Sequence, residues 1–165
     1  MTPRYRERIA LYPGTFDPFT VGHLSIVERG LRLFDKVVIA VGVNDNKRCF
    51  RSVDERLAHI AGVMKGEGRV EVISYDGLTV DVARRIGAGF ILRGVRTVAD
   101  YEYERNLAYA NRRISGIETV LLYTLPELQY VSSTMVRDLD RCGYDTSEFV
   151  PGEGALAALR DDESD

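Results

Sequence analysis

The sequence predicts an α/β protein with a doubly wound, five-stranded parallel sheet and helices on both faces. Three observations support this fold class: short apolar runs rich in β-branched residues recur along the chain, helical patterns separate them, and glycines or capping residues mark many boundaries. The apolar runs are typical of strands buried on both faces of a parallel sheet. Strands that alternate with helices should be joined by right-handed crossovers.

Five apolar runs are the predicted strands, and they cover residues 8–12, 37–43 (VVIAVGV), 70–75 (VEVISY), 90–92 (FIL) and 119–124 (TVLLYT). The first helical pattern places Leu24, Val27 and Leu31 on one face, which should pack against the core. The second begins at Ser52, where the sequence SVDE forms a capping box. The predicted helices cover residues 22–34, 52 to the glycines at 66 and 68, 79–86, 98–114, and two short stretches at 132–141 and 152–160.

Length and composition indicate one ordinary domain. The chain has 165 residues, of which 45% are hydrophobic and 28% charged. We predict a single domain over residues 1–160, followed by an acidic tail at 161–165 (DDESD) that frays.

Charge and hydropathy limit the partners. A net charge of −3 argues against a broad nucleic-acid-binding surface and favours small anionic ligands held by local cations. No apolar run approaches the ~20 residues of a membrane span, and the N-terminus lacks the apolar segment of a signal peptide, so we expect a cytoplasmic protein with no membrane partner. Cys49 and Cys142 fit neither a disulfide framework nor a zinc pattern, and both are interpreted as free thiols.

The richest chemistry follows the first strand, in the sequence YPGTFDPFTVGH at 12–23. Gly14 allows the backbone to approach a ligand closely, and Thr15 adds a hydroxyl. Gly22 and His23 then open a helix, whose free N–H groups and dipole attract anions. This combination predicts a phosphate-binding loop.

The two histidines receive different interpretations. His23 either binds phosphate or has a structural role, in which it packs on Phe16 or caps its own helix. The other residues of the loop favour the phosphate-binding role. His59 lies in the middle of a predicted helix with no polar companion in the local pattern, so it should be structural or solvent-facing.

A second cluster of charge follows the fourth predicted strand, in RGVRTVADYEYE at 93–104. Arg93 and Arg96 flank Gly94 at the carboxyl edge of the sheet, where two guanidinium groups can bind phosphate oxygens in a bidentate manner. Alternatively, these arginines pair with acids of the following helix. The acids available are Asp100, Glu102 and Glu104.

Two further segments are candidates for the same site. Lys47, in the loop after the second strand, is either a mobile cation that reaches the crevice or a solvated surface residue. The residues at 132–134 (SST) open a helix and either cap it or bind phosphate, because both roles use the same free N–H groups. Arg137, one turn later, favours phosphate.

Ligands of doubly wound sheets bind at the carboxyl ends of the strands, where the strand order reverses. If the first and fourth strands are neighbours there, the loops at 13–20 and 93–96 share one crevice. We therefore predict that His23 and Arg96 converge on one phosphate-binding crevice.

Together these segments resemble the bacterial phosphopantetheine adenylyltransferases over nearly the whole chain. The T-x-G-H at 20–23 and the SST helix start mark the wider nucleotidyltransferase superfamily, which includes nicotinamide-mononucleotide adenylyltransferases and cytidylyltransferases. The pattern R-G-x-R-x-x-x-D-F/Y-E-Y-E at 93–104, followed by Asn111, and the P-G-T-F-D-P at 13–18 are specific to the family.

The resemblance implies an activity and several partners. The enzyme would transfer the adenylyl group of ATP to 4′-phosphopantetheine by direct in-line displacement, giving dephospho-coenzyme A and pyrophosphate. The resemblance further implies a Rossmann-like strand order of 3-2-1-4-5, a requirement for Mg²⁺ held mainly by the ATP phosphates, a homohexamer, and coenzyme A as a feedback ligand.

The resemblance also implies roles for individual residues. The catalytic group would be His23, which steadies the transition state at the α-phosphate, with Lys47 and Arg96. The phosphopantetheine-binding residues would be Thr15, Lys47, Thr79, Arg93 and Asn111. The ATP-binding residues would be Thr15, Phe16, His23, Gly94, Val95, Arg96, Glu104, Leu128, Gln129, Tyr130, Val131, Ser132, Ser133 and Thr134.

Three positions depart from the usual family pattern. The helix start reads SST with Arg137, where the family usually has SSS with lysine, and this form is closer to other branches of the superfamily. Asn106 and Cys49 stand where glutamine and proline are usual. Two rival interpretations stay open: a nucleotidyltransferase acting on nicotinamide mononucleotide or a phosphorylated alcohol, which the SST helix start favours, and a non-catalytic nucleotide-binding or regulatory module.

Overall fold

The computed structural model describes residues 6–43 and 48–161. Within these ranges, five strands form one sheet in the order β3-β2-β1-β4-β5, and every neighbouring pair is parallel. The predicted fold class and strand order are therefore confirmed. The strands are β1 (Ile9–Gly14), β2 (Lys36–Gly42), β3 (Val70–Tyr75), β4 (Phe90–Val95) and β5 (Glu118–Tyr123).

The strand β4 is longer than the sequence predicts. Its apolar run ends at Leu92, but its pairing with β5 continues to the Val95–Tyr123 pair. Arg93 and Gly94 therefore lie inside the strand and not in the loop after it. Arg96 is the first residue beyond the strand, at the carboxyl edge of the sheet.

The helices follow the predicted order with small shifts at their ends. The first ends at Gly30, because the next residues tighten into turns, with the Leu33 N–H donating to the Gly30 carbonyl. The last begins three residues later than predicted, after Gly154 adopts a left-handed conformation with a φ of 71°. The helices are α1 (Val21–Gly30), α2 (Val53–Val63), α3 (Thr79–Arg85), α4 (Val98–Ser115), α5 (Ser133–Arg141) and α6 (Ala155–Asp161), with a 3-10 turn at Pro126–Leu128.

The core lies on both faces of the sheet, as the apolar strands predict. Alternate residues of β1 divide between the faces, with Ala10 and Tyr12 on one side and Leu11 on the other. The first face packs against α1, α2 and α6, and the second packs against α3. None of the helices in the described ranges is both long and apolar enough to cross a bilayer.

The helix α2 holds the first loop from behind through a buried arginine. Arg56 is only 2% exposed, and its guanidinium donates to the carbonyls of Thr15 (2.7 Å) and Gly42 (3.3 Å). No ion pair joins it to a carboxylate among the described residues, so backbone carbonyls are its acceptors. The capping box that the sequence predicts at Ser52 is confirmed, and it sets where this helix begins.

Candidate active site

A cavity of about 300 Å³ opens at the carboxyl ends of β1 and β4, where these two strands are neighbours. The first loop, the end of β4 and the start of α5 all line it, so His23 and Arg96 face one crevice as predicted. Val95 is a buried strand residue, and neither it nor residues 128–130 line the cavity. The residues predicted for ATP that do line it are Thr15, Phe16, His23, Gly94, Arg96, Glu104, Val131, Ser132, Ser133 and Thr134.

His23 caps its own helix and still presents one ring nitrogen to the cavity. The helix α1 is capped by Thr20, whose backbone N–H donates to His23 Nδ1 (2.9 Å), while its Oγ1 accepts from the His23 N–H (3.4 Å). Because Nδ1 is the acceptor, the proton of the neutral ring lies on Nε2. No described residue bonds Nε2, so this N–H is available to a ligand. Capping and phosphate binding, posed as alternatives from the sequence, are compatible.

The imidazole of His23 is held neutral by its surroundings. Burial, followed by the positive charges of Arg93 and Arg96, lowers the pKa of His23 from 6.5 to about 3. The ring also packs edge-on against Phe16, with 5.1 Å between centroids, and against Phe19 at 5.3 Å. At neutral pH this residue therefore supplies a hydrogen-bond donor and not a charge.

The backbone of the first loop is strained in a way that Gly14 makes possible. Phe16 adopts a left-handed conformation with a φ of 50°, which is uncommon for a residue other than glycine. Its ring then lies so close to Gly14 that an added Cβ would be 2.7 Å from the ring carbon Cζ. The sequence predicts that Gly14 allows a ligand to approach the backbone closely. In the structure, the group that lies close to Gly14 is the ring of Phe16.

Arg93 is committed to an ion pair with the buried Glu104, and its own side chain is 28% exposed. Its Nη2 lies 2.6 Å from Glu104 Oε1, its Nε lies 3.0 Å from both carboxylate oxygens, and its Nη1 donates to the Pro13 carbonyl. The pairing with an acid of the following helix, weighed as an alternative for this arginine, is therefore present. Three of the five N–H donors of a guanidinium are used in this way, which leaves two for a ligand.

Arg96 is held more loosely. Its Nε lies 3.5 Å from Asp100 Oδ2, its Nη1 lies 3.4 Å from the Val131 carbonyl, and its side chain is 38% exposed. The Gln129 side chain donates to the Arg96 carbonyl (2.8 Å), which ties the segment before α5 to the end of β4. Arg96 is thus the more available cation of the pair.

A second cavity, of about 270 Å³, adjoins the first. Thr15, Arg93 and Glu104 line both, so the ion pair forms part of the wall between them. The second cavity brings together the described residues predicted for phosphopantetheine, which are Thr15, Thr79, Arg93 and Asn111. Lys47, predicted for catalysis and for this substrate, lies outside the described residues.

Two residues that are not among the predicted site residues hold the first loop in place. Asp17 is buried, and its carboxylate accepts from the backbone N–H groups of Phe50 (2.6 Å) and Arg51 (3.0 Å). Arg56 holds the Thr15 carbonyl. The P-G-T-F-D-P motif contains Asp17 and is its only signal in the sequence, whereas nothing local distinguishes Arg56.

Three other predicted positions lie outside the first cavity. Arg137 donates to the Asp17 carbonyl (2.7 Å) and to Thr134 Oγ1 (3.2 Å), and it lines a neighbouring pocket with Cys49. His59 contacts the Pro151 carbonyl through Nε2 at 2.9 Å, which agrees with the structural role predicted for it. Asn106 is exposed on α4.

The described residues offer no cluster of three or more side chains that could hold a metal ion. The two acids that line the first cavity, Asp100 and Glu104, are each paired with an arginine. A divalent cation at this site would therefore need ligands from the substrate.

Comparison with known proteins places this geometry in a family. The cytidylyltransferase-like family matches residues 11–139. The phosphopantetheine adenylyltransferase of Bacteroides fragilis is 51% identical over 144 residues, covering 87% of this chain and 96% of the relative. That of Bacteroides thetaiotaomicron is 49% identical over 144 residues, covering 87% and 95%.

A solved structure supports the fold alone. The bifunctional NMN adenylyltransferase/ADP ribose pyrophosphatase of Francisella tularensis, complexed with AMP and a Mn ion, superposes with a TM-score of 0.67 at 16% identity. The superposition covers 94% of this chain and 50% of that protein, so the chain spans half of its length. By the family match and the two Bacteroides relatives, this chain belongs to the cytidylyltransferase-like superfamily and, within it, to the phosphopantetheine adenylyltransferase family.

Proposed function

We propose that this protein transfers the adenylyl group of ATP to 4′-phosphopantetheine, giving dephospho-coenzyme A and pyrophosphate. The observation that carries the proposal is the pair of adjoining cavities that share Thr15 and Arg93. One cavity has the loop predicted to bind phosphate and two helix N-termini, and the other has apolar side chains suited to an extended arm. Two phosphorylated substrates can therefore meet at the shared wall.

In this proposal ATP occupies the first cavity. His23 donates its Nε2–H to an oxygen of the α-phosphate, and Arg96 supplies positive charge. The N-terminus of α5, at Ser132 and Ser133, offers backbone N–H groups to the departing phosphates. Gly94 and Val131, which line this cavity, are proposed to contact the base, and Lys47 is proposed as a further phosphate contact. The roles of Leu128, Gln129 and Tyr130 stay predictions from the resemblance, since these residues do not line the cavity.

The acceptor occupies the second cavity in this proposal, with its phosphate near Thr15 and Arg93. A phosphate oxygen of the acceptor attacks the α-phosphorus, the bond from the α-phosphorus to the bridging oxygen breaks, and pyrophosphate leaves with both electrons. A phosphate monoester is largely a dianion near neutral pH, so the acceptor needs no general base. Catalysis then consists mainly of positioning and of stabilising charge in the transition state.

Arg93 and Arg96 are proposed to have different roles, because their charges are paired to different degrees. The charge of Arg93 is balanced by Glu104. Arg93 therefore contributes mainly its two remaining N–H donors and little net positive charge. Arg96 is partly exposed and only loosely paired with Asp100, so it can turn toward a phosphate. This refines the expectation from the sequence that both guanidinium groups bind phosphate in the same way.

Several partners are proposed from the resemblance to the family. Mg²⁺ is proposed to arrive with the ATP phosphates, because no acidic cluster for it occurs among the described residues. A homohexamer and coenzyme A feedback are proposed from the resemblance. We also propose a cytoplasmic location.

The experiment that tests the function is an acceptor panel. The protein is incubated with ATP, Mg²⁺ and one of three acceptors: 4′-phosphopantetheine, nicotinamide mononucleotide or a simple phosphorylated alcohol. We expect pyrophosphate release with 4′-phosphopantetheine in large excess over the others. Preference for another acceptor would assign the chain to a different branch, and ATP binding without pyrophosphate release on any acceptor would favour a non-catalytic module.

The variant His23→Ala tests the donor. Loss of one preorganised donor should lower kcat by about 10² to 10³, or roughly 3 to 4 kcal/mol, with ATP binding retained. The ring also caps α1, so the free energy of unfolding should fall by about 1 kcal/mol, and assays belong well below the Tm. The control His59→Ala loses a contact to the Pro151 carbonyl, outside the first cavity, and should keep its turnover. Near wild-type kcat in His23→Ala would remove this residue from the mechanism.

The neutral state of His23 has a consequence for stability at low pH. In the unfolded chain this residue takes up a proton below about pH 6.5, whereas its pKa in the fold is about 3. Between these values the unfolded state binds more protons, so the free energy of unfolding falls as the pH falls. The variant His23→Gln keeps an acceptor for the helix cap but cannot titrate.

We therefore expect the wild type to lose stability relative to His23→Gln as the pH falls from 7 to 4, measured as the difference between their free energies of unfolding. Its slope should approach, at most, about 1.4 kcal/mol per pH unit. Urea unfolding at several pH values measures this difference. A constant difference would mean that the imidazole titrates alike in both states.

A further inference from the structure

The second cavity has two chemically different ends. At one end, Thr15 and Arg93 connect it to the nucleotide cavity. At the other end lie Asn111 on α4 and Thr119 on β5. The lining between them includes apolar side chains, among them Ile91, Leu107 and Ala108.

The fold fixes the distance between these ends. Glu104 and Asn111 are seven residues apart on α4, which corresponds to roughly 10 Å along the helix. Ile91 lies two residues before Arg93 on β4, about 7 Å back along the strand, and it pairs directly with Thr119. The cavity is therefore long enough for a chain of several bonds beyond a phosphate.

The hydroxyl of Thr119 has no partner in the protein. Its Oγ1 is fully buried and makes no hydrogen bond. Every other buried side-chain nitrogen or oxygen in residues 6–43 and 48–161 has a hydrogen-bond partner. Buried polar atoms in folded proteins are nearly always paired, because an unpaired one loses its hydration without compensation. Since this residue lines a cavity, its missing partner can come from a ligand.

The side-chain amide of Asn111 is in a similar position. No described residue hydrogen-bonds this amide, and the Ser115 hydroxyl nearby donates to the Asn111 backbone carbonyl instead (2.5 Å). The deep end of the cavity therefore combines a hydroxyl and a carboxamide that have no hydrogen-bond partner among the described residues. Such groups match a secondary amide, which both donates and accepts.

We propose that Thr119 is a specificity-determining residue that hydrogen-bonds an amide in the arm of the acceptor. This inference rests on the proposed function, in which the acceptor is a phosphate monoester with an amide-bearing arm. An acceptor without such an amide leaves the buried hydroxyl unpaired. A site built to pair a polar group discriminates against ligands that lack that group.

The test compares Thr119→Val, which replaces the hydroxyl by a methyl of similar size, with Thr119→Ser, which retains it. We expect Thr119→Val to lower kcat/KM for 4′-phosphopantetheine about tenfold, the effect of one lost hydrogen bond, with the KM for ATP unchanged. Thr119→Ser should stay near wild type. With a truncated phosphorylated acceptor that ends before the first amide, all three proteins should react equally.

Thermal unfolding separates this role from a structural one. Without substrate, Thr119→Val should have a Tm equal to or above that of the wild type, because it removes an unpaired buried hydroxyl. Saturating 4′-phosphopantetheine should raise its Tm less than it raises that of the wild type. A lower Tm without substrate, together with unchanged acceptor selectivity, would assign the hydroxyl to the fold and overturn the inference.

The outcomes also separate this inference from the proposed function. Wild-type turnover with 4′-phosphopantetheine and an unchanged kcat/KM in Thr119→Val would overturn the inference and leave the function standing. No wild-type turnover with this acceptor would overturn the function. Calorimetry with 4′-phosphopantetheine then decides the inference alone: roughly tenfold weaker binding to Thr119→Val supports it, and equal binding refutes it.

Discussion

The ion pair of Arg93 with the buried Glu104 is the interaction on which the rest of the site depends. It joins β4 to α4, and through the Pro13 carbonyl it also joins both to the first loop. Loss of Arg93 would be costly, because the buried carboxylate of Glu104 would be left without compensation. Both residues line both cavities, so the pair sets the position of one cavity relative to the other. The proposed meeting of two phosphates is a consequence of this shared wall.

The first loop is held from several sides before any substrate binds. Arg56 holds the Thr15 carbonyl from α2, and Asp17 binds the backbone of residues 50–51. The left-handed conformation of Phe16 brings its ring against His23, whose Nδ1 is already occupied by the helix cap. The remaining Nε2–H therefore has a defined direction. Preorganisation of this kind avoids reorganisation during the reaction and makes a single donor effective.

The sequence predicts the architecture well, since apolar strands and helical patterns are local signals. It underestimates β4, because Arg93 and Gly94 interrupt the apolar pattern while the pairing with β5 continues. The sequence motifs also predict that His23 and Arg96 lie at one cavity. The pairing of Arg93 with Glu104, the buried position of Arg56 and the unpaired hydroxyl of Thr119 depend on contacts between distant segments. A local sequence pattern cannot show which partner a side chain finds in the fold, or that it finds none.

The central claim is that the two cavities are halves of one active site. A crystal structure with a non-hydrolysable ATP analogue and 4′-phosphopantetheine tests it most directly. The account predicts the α-phosphorus beside His23 Nε2, with an acceptor phosphate oxygen about 3 to 3.5 Å away and in line with the leaving group. The arm of the acceptor should extend past Arg93 toward Thr119. A nucleotide in the second cavity, or an acceptor phosphate separated from the α-phosphorus by the ion pair, would contradict the account.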